Sequence, residues 1–362
     1  MNKFTKIIAL LCFVAAVTAC SKDEDPIVVV PPSDGSTMTL KGLIGSEAGA
    51  SAGNSVFVDF STDKQTSVAR TSWDLGFYSG TDFRVIINHS TGAAAIALNK
   101  TDLNTVTAAD TAALATSATL TLGQGAGDFP NIDPVEGNTA TYLAGTVIKT
   151  ISATDADNKV YIVNRGVAGV TGSRGWQKIR VIRNGNGYTL QYAKISETTF
   201  KTLTVTKDAA YNFKYVSFVT GAATVEPEKA AWDIEWSLST FKASTGTSFI
   251  PYTFSDFVLI NFVGGVTAAE VIYSGTVANN TVSYADFKEA NLTGITFLGA
   301  REVIAGNWRI TSGTPIGVKT DRFYLVKDSA GNVYKLKFNS FHPSDSGVRG
   351  NPVIEYKLVK KA

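Results

Sequence analysis

The sequence predicts a mostly antiparallel β protein, a β-rich α+β fold of two tandem modules with short helices. Three observations predict it. Sequence blocks recur in one order at a spacing of about 160 residues, the scale of a whole domain rather than of a solenoid repeat. Short runs such as 83–87 and 334–338 carry the period-two pattern of half-buried strands. The 20 Phe, 13 Tyr and 32 Gly favour strands and turns over long helices.

At the N-terminus, Lys3 and Lys6 precede an uncharged apolar stretch, 7–17, and small residues lead into Val17-Thr18-Ala19-Cys20. A charged start, a short apolar segment and a small-residue cleavage site describe a secretory signal peptide over 1–19. The apolar stretch is shorter than the ~20 residues a spanning helix needs. The four residues ending at Cys20 resemble the bacterial lipobox, which implies acylation of Cys20. Acyl chains on that cysteine bury methylenes at roughly 0.8 kcal/mol each, enough for a stable membrane anchor. Cys12 leaves with the signal peptide, so no disulfide or thiolate metal site is expected in the mature body.

Residues 20–38 read as an extended tether, with Lys22-Asp23-Glu24-Asp25 followed by Pro31-Pro32-Ser33-Asp34-Gly35-Ser36. The acidic run resembles the export signal that sends Bacteroidetes lipoproteins to the outer face of the outer membrane. An outer-membrane, lipid-anchored, surface-exposed location is the expectation.

The repeat sets the two modules at 39–200 and 201–362. Phe57-Val58-Asp59-Phe60 matches Tyr215-Val216-Ser217-Phe218, and Trp73-Asp74-Leu75-Gly76-Phe77 matches Trp232-Asp233-Ile234-Glu235-Trp236. Further on, Val106–Asp110 matches Val282–Asp286, 159–163 matches 322–326, and 188–195 matches 352–359. Within the modules, Asn184-Gly185-Asn186-Gly187 and Asp328-Ser329-Ala330-Gly331-Asn332 are hairpin signals. The best helix candidate is 106–117, with Thr107 as its N-cap. Trp73 and Trp232 sit on alternating strands and read as core anchors. Asp74 and Asp233 read as strand-end carboxylates that accept hydrogen bonds.

Composition restricts the chemistry. A formal net charge of +2 with scattered Lys and Arg leaves no nucleic-acid footprint. Two histidines, His89 and His342, lie in different modules, so neither a Ser-His-Asp arrangement nor a histidine-rich metal site is expected. No pair among the 31 acidic residues stands out by its spacing. No catalytic residue is assigned, and the chain reads as a binding protein rather than an enzyme. Phe249, Tyr252, Phe254 and Phe257 could line an apolar recess, form core, or make an oligomer contact.

The order of "YVSF", "WDI", "RFYLVKDSAGNVYKLKF" and a C-terminal "IEYKLV" resembles the HmuY-like family of Bacteroidetes surface lipoproteins. The resemblance covers 211–359 well and 54–195 more loosely. It implies a haemophore, which takes haem at the cell surface and works with a TonB-dependent receptor. Axial donors to haem iron are His, Met, Cys or Tyr. The family's donor segments correspond to Trp308–Pro315 and to 271–298, and neither holds a His or Met. The candidate haem ligands are therefore Tyr273 and Tyr284 in the second segment, with His89 and His342 elsewhere. Two functions are expected from this: capture of haem or a related ligand, or a protein- or glycan-binding module without haem ligation.

Overall fold

The computed structural model describes residues 31–122, 127–169 and 172–362. The expected signal peptide, Cys20 and the expected tether as far as Val30 lie outside the described residues; the tether expected to reach residue 38 ends earlier, because Gly35–Thr39 pairs with the last strand and Met38 packs on the core. Every strand pair described is antiparallel, and the β-rich class expected from composition and periodicity holds.

Four sheets carry the fold. A five-stranded sheet runs in the order Gly35–Thr39, Val353–Lys360, Val333–Ser340, Arg322–Lys327, Thr267–Ile272. A second runs Lys201–Val205, Gly187–Lys194, Trp176–Asn184, Tyr161–Asn164, Ala94–Ala97. Two four-stranded sheets accompany them: Phe249–Ile260, Ile234–Ser244, Asn54–Asp59, Lys64–Ala69, and Gly221–Ala223, Phe213–Ser217, Leu75–Tyr78, Val85–Ile87.

These sheets cut across the midpoint of the chain. Asn54–Asp59 of the first repeat lies beside Ile234–Ser244 of the second, with Val58 opposite Ile234 and Val56 opposite Trp236. Phe213–Ser217 of the second repeat lies beside Leu75–Tyr78 of the first, with Val216 opposite Leu75. The two registers are the same register, because Val58 matches Val216 and Ile234 matches Leu75 in the repeat. The hydrogen bonds at the junctions are reciprocal as well. Asp74 N–H donates to the Val216 carbonyl at 2.8 Å and Asp233 N–H to the Val58 carbonyl at 2.7 Å. The Asp74 carboxylate accepts Phe218 N–H at 2.7 Å, and that of Asp233 accepts Phe60 N–H at 2.8 Å. Strand-end acceptors is thus what these two aspartates are.

The hydrophobic cores divide the same way. One joins Leu40, Val56, Val58 and Phe60 to Trp236, Tyr324, Leu336 and Tyr356. The other joins Leu75, Phe77, Val181 and Leu190 to Val205, Val216 and Phe218. The packing unit made by 73–225 is continuous in sequence. It sits as an insert within a host unit made of 35–69 and 234–360. Each unit has the same strands, but the segment that opens the host closes the insert, so one is a circular permutation of the other. The division at 39–200 and 201–362 describes the repeated sequence, which we propose as the unit of descent. A smaller cluster with Phe57, Trp73, Ile86, Tyr142, Phe213 and Trp232 lies where the two units meet, and both tryptophans are buried.

Local signals behave as expected. Asn184 pairs with Gly187, leaving a two-residue turn in which Gly185 takes φ +55°. The Asp328 carboxylate accepts the N–H groups of Gly331 and Asn332 and closes the other hairpin. The helix is Ala108–Ser117, and the Asp110 carboxylate accepts Thr107 N–H at 2.8 Å in a capping box. A second helix, Thr139–Gly145, is capped by Asn138. No helix among the described residues is long and apolar enough to cross a membrane.

Candidate functional site

A concavity of about 840 Å³ in the host unit lies along the strand Phe249–Ile260. Ile250, Tyr252 and Phe254 line it together with Arg309, Thr311 and Arg349. The strand is irregular here. Its register with Ile234–Ser244 shifts between Ser237 and Ser239, and Asp256 takes φ +53°. An extra residue on one strand bends it and re-aims side chains. The bulge puts Asp256 fully inside, where its carboxylate meets the Arg349 guanidinium at 3.0 Å from both Nε and Nη2. Arg349 also donates to the Ser255 hydroxyl at 2.8 Å.

Arg309 donates to the Gly306 carbonyl at 2.9 Å and to the Ser255 carbonyl. Burial lowers its pKa to about 10, with Asp256 opposing that shift and Arg349 adding to it. Two guanidiniums thus share one carboxylate at this end of the groove, leaving it net positive. Tyr252 and Phe254 meet edge to face at 5.0 Å and supply the apolar wall. Of the four expected aromatics, these two face the groove, Phe257 is core, and Phe249 is 55 % exposed.

The segment 308–315 begins with Trp308, which is buried and stacked on Phe338 at 4.0 Å. Arg309–Ile310 then pairs with Gly317–Val318 as a short hairpin. Thr311 and Ser312 at its tip form one wall of the groove. Where the family resemblance places an axial donor, the groove has guanidinium and hydroxyl groups.

The four candidate haem ligands do not converge. Tyr273 donates to the Thr320 carbonyl at 2.5 Å. Tyr284 is buried between Phe323 and the ammonium groups of Lys335 and Lys337, and burial raises its pKa, disfavouring phenolate. His342 caps the turn Pro343–Asp345, with Nδ1 2.5 Å from the Ser344 hydroxyl. His89 stands far from that turn's contacts, on Trp73 and beside Glu235. None of the four lines the groove.

His89 belongs to a different feature, a cavity of about 50 Å³ between the two units. The residues around it are unusually polar for an interior. Glu226 accepts Phe213 N–H at 2.7 Å, yet burial still pushes its pKa up to about 8. Glu235, opposite, is pushed up to about 7 by burial, with Ser55 and Ser237 hydroxyls beside it and Arg301 opposing. Burial, with Arg301 and Arg70 nearby, holds His89 well below its ordinary value. Burial disfavours the charged form of both partners, so the 3.6 Å approach of His89 Nε2 to Glu235 is not a simple ion pair. Among the described residues, His89 Nδ1, Trp232 Nε1 and Arg301 Nε have no hydrogen-bond partner. No metal-binding group of three or more His, Cys, Asp or Glu occurs among the described residues.

Spacing did not single out Glu226 and Glu235. One signal was present: Glu235 stands between Ile234 and Trp236, where the first repeat has Gly76.

The model of the HmuY protein family matches residues 51–356. No curated protein and no solved structure matches the chain. The family is one of haem-binding, cell-surface proteins and not of enzymes. The match runs through the insert and both parts of the host, and the chain belongs to the HmuY family.

Proposed function

We propose that this chain is a lipoprotein, anchored through Cys20 in the outer membrane and exposed at the cell surface. It captures haem or a related flat, anionic ligand without chemistry, for a TonB-dependent uptake system. The observation that carries the reading is the place and make-up of the groove. It is walled by the 309–312 segment that the family resemblance ties to haem, and it joins an aromatic face to two guanidiniums. A planar macrocycle would lie against Tyr252 and Phe254. Its carboxylates would pair with Arg349 and Arg309, since guanidinium–carboxylate contacts are the strong, geometrically selective ones.

Axial ligation by His89, His342, Tyr273 or Tyr284 is not part of this mode. Their separate engagements support a second reading, a family member that binds protein or glycan and not haem.

Haemin titration into the soluble chain lacking residues 1–20 separates the two. Haem capture predicts a saturable Soret change that survives His89→Ala and His342→Ala. Arg349→Ala should weaken it by about tenfold or more, the scale of a charged hydrogen bond. A spectrum identical to haemin in buffer would sink haem capture and leave the second reading. The anchor has its own check: Cys20→Ser should move the full-length protein out of the membrane fraction, and retention there would exclude acylation as the anchor.

A further inference from the structure

We propose that the seam between the insert and the host is a pH-dependent latch, closed while Glu226 and Glu235 are protonated and opened when they ionise.

The backbone passes between the units twice, through 70–74 and through 224–233. At the first crossing, buried Arg70 donates to the Ala52 carbonyl at 2.7 Å and to the Ser90 carbonyl at 2.5 Å. At the second, Glu226 accepts Phe213 N–H at 2.7 Å and Lys229 N–H donates to the Ala210 carbonyl at 2.8 Å. The cavity between the units is thus bordered by a residue of the crossing, and Glu235 faces it from the host strand Ile234–Ser244. Asn212 Nδ2 donates across the seam to Asn261 Oδ1 at 2.8 Å, and the two carboxyls buried beside that bond carry a charge that depends on pH, where the other crossing is held by an arginine.

Charge balance decides the direction. Facing Glu226 are Asn212, which reaches its carboxyl at 3.5 Å, Tyr215 and Glu235. Facing Glu235 are His89 and Tyr142 from the insert, Tyr215, and Arg301 from the host. Asp133 of the insert also looks to Arg301, and burial lifts its pKa to about 6 with Lys149 opposing. One buried guanidinium therefore serves both Glu235 and Asp133, and burial disfavours a charge on His89. Among the described residues, those acting most strongly on Glu226 include no cation. A buried unpaired carboxylate is costly, so ionising the pair favours any state that returns it to water.

The sign follows from proton binding. The closed seam holds protons on Glu226 and Glu235 at pH values where the opened seam has lost them, so opening becomes easier as pH rises. With closed-state values of about 8 and 7, the opening equilibrium should grow on the order of 100-fold or more between pH 6 and pH 9.

Hydrogen exchange on the mature chain, corrected for the intrinsic pH dependence of amide exchange, tests this. Protection at 212–216, 232–236 and 259–263 should fall over that range, while the sheet centres Gly187–Lys194 and Val353–Lys360 stay protected. Glu226→Gln with Glu235→Gln, which mimics the protonated pair, should remove the pH dependence. Seam protection unchanged from pH 6 to pH 9 in the wild-type chain would overturn the latch. So would loss spread evenly over both sheets, or a pH response that persists in a folded double variant.

Discussion

Trp236→Ala is expected to cost about 3–5 kcal/mol and to loosen two stretches far apart in sequence, 35–69 and 234–360, ahead of 73–225. Trp236 is fully buried in the host core. It stands opposite Val56, and its ring lies so close to Gly42 that a β-carbon there would fall 2.2 Å from it. Both of those residues come from the N-terminal piece of the host, so the cavity left by the indole opens onto strands at both ends of the chain. Leu190→Ala, in the other core, should do the reverse and loosen 75–223, with a cost of about 2–5 kcal/mol. Hydrogen exchange resolved by segment reads both. If Leu190→Ala loosened 35–69 along with 75–194 and left 201–223 protected, each repeat would be packing on itself and the nested division would be wrong.

The second large effect separates two residues that the repeat makes equivalent. Asp74→Ala should destabilise by about 3–5 kcal/mol, the range for removing one member of a buried charged cluster. Its carboxylate holds Arg165 at 2.9 and 3.0 Å, Arg174 at 2.9 Å and the Phe218 N–H, and its side chain is 1 % exposed. Asp74→Asn keeps an acceptor for Phe218 but strands two buried guanidiniums, so most of the loss should remain. Asp233 makes the matching bond to Phe60 with no cation beside it, and burial, with Asp59 and Asp328 adding to it, raises its pKa well above the ordinary range. Both effects favour the neutral carboxyl, which can still accept the Phe60 N–H. Asp233→Asn should therefore cost less than about 1 kcal/mol. Chemical denaturation of the three variants checks this, and equal losses for Asp74→Asn and Asp233→Asn would show that Arg165 and Arg174 contribute nothing there.

The repeat, the hairpins at Asn184–Gly187 and Asp328–Asn332, the helix after Thr107 and the burial of Trp73 and Trp232 were legible in the sequence, because each is written in local spacing. Which strand completes which sheet was not. Val58 can face Leu75 or Ile234 with the same side chains and the same register, since the repeat makes the two partners equivalent. The choice rests on the short link Arg70–Ser72 and on where the Arg70 guanidinium finds carbonyls, contacts that no periodicity reports. The groove was half legible. Tyr252 and Phe254 were visible as an apolar run, but Arg309 and Arg349 lie 40 residues apart in sequence and meet only around Asp256. Glu226 and Glu235 were lost among the acidic residues, because desolvation is a property of the seam and not of the composition.

The pairing of Gly35–Thr39 with Val353–Lys360 bears on how the molecule is made. The chain is synthesised from its N-terminus, so the first host strand emerges early and waits for a partner that arrives last. The insert has all its strands once residue 225 is out, and it can close while the rest is still unfinished. Its contacts are the nearer in sequence and should form sooner. The host cannot be sealed before the whole polypeptide has been made, which makes the final strand the last step of assembly.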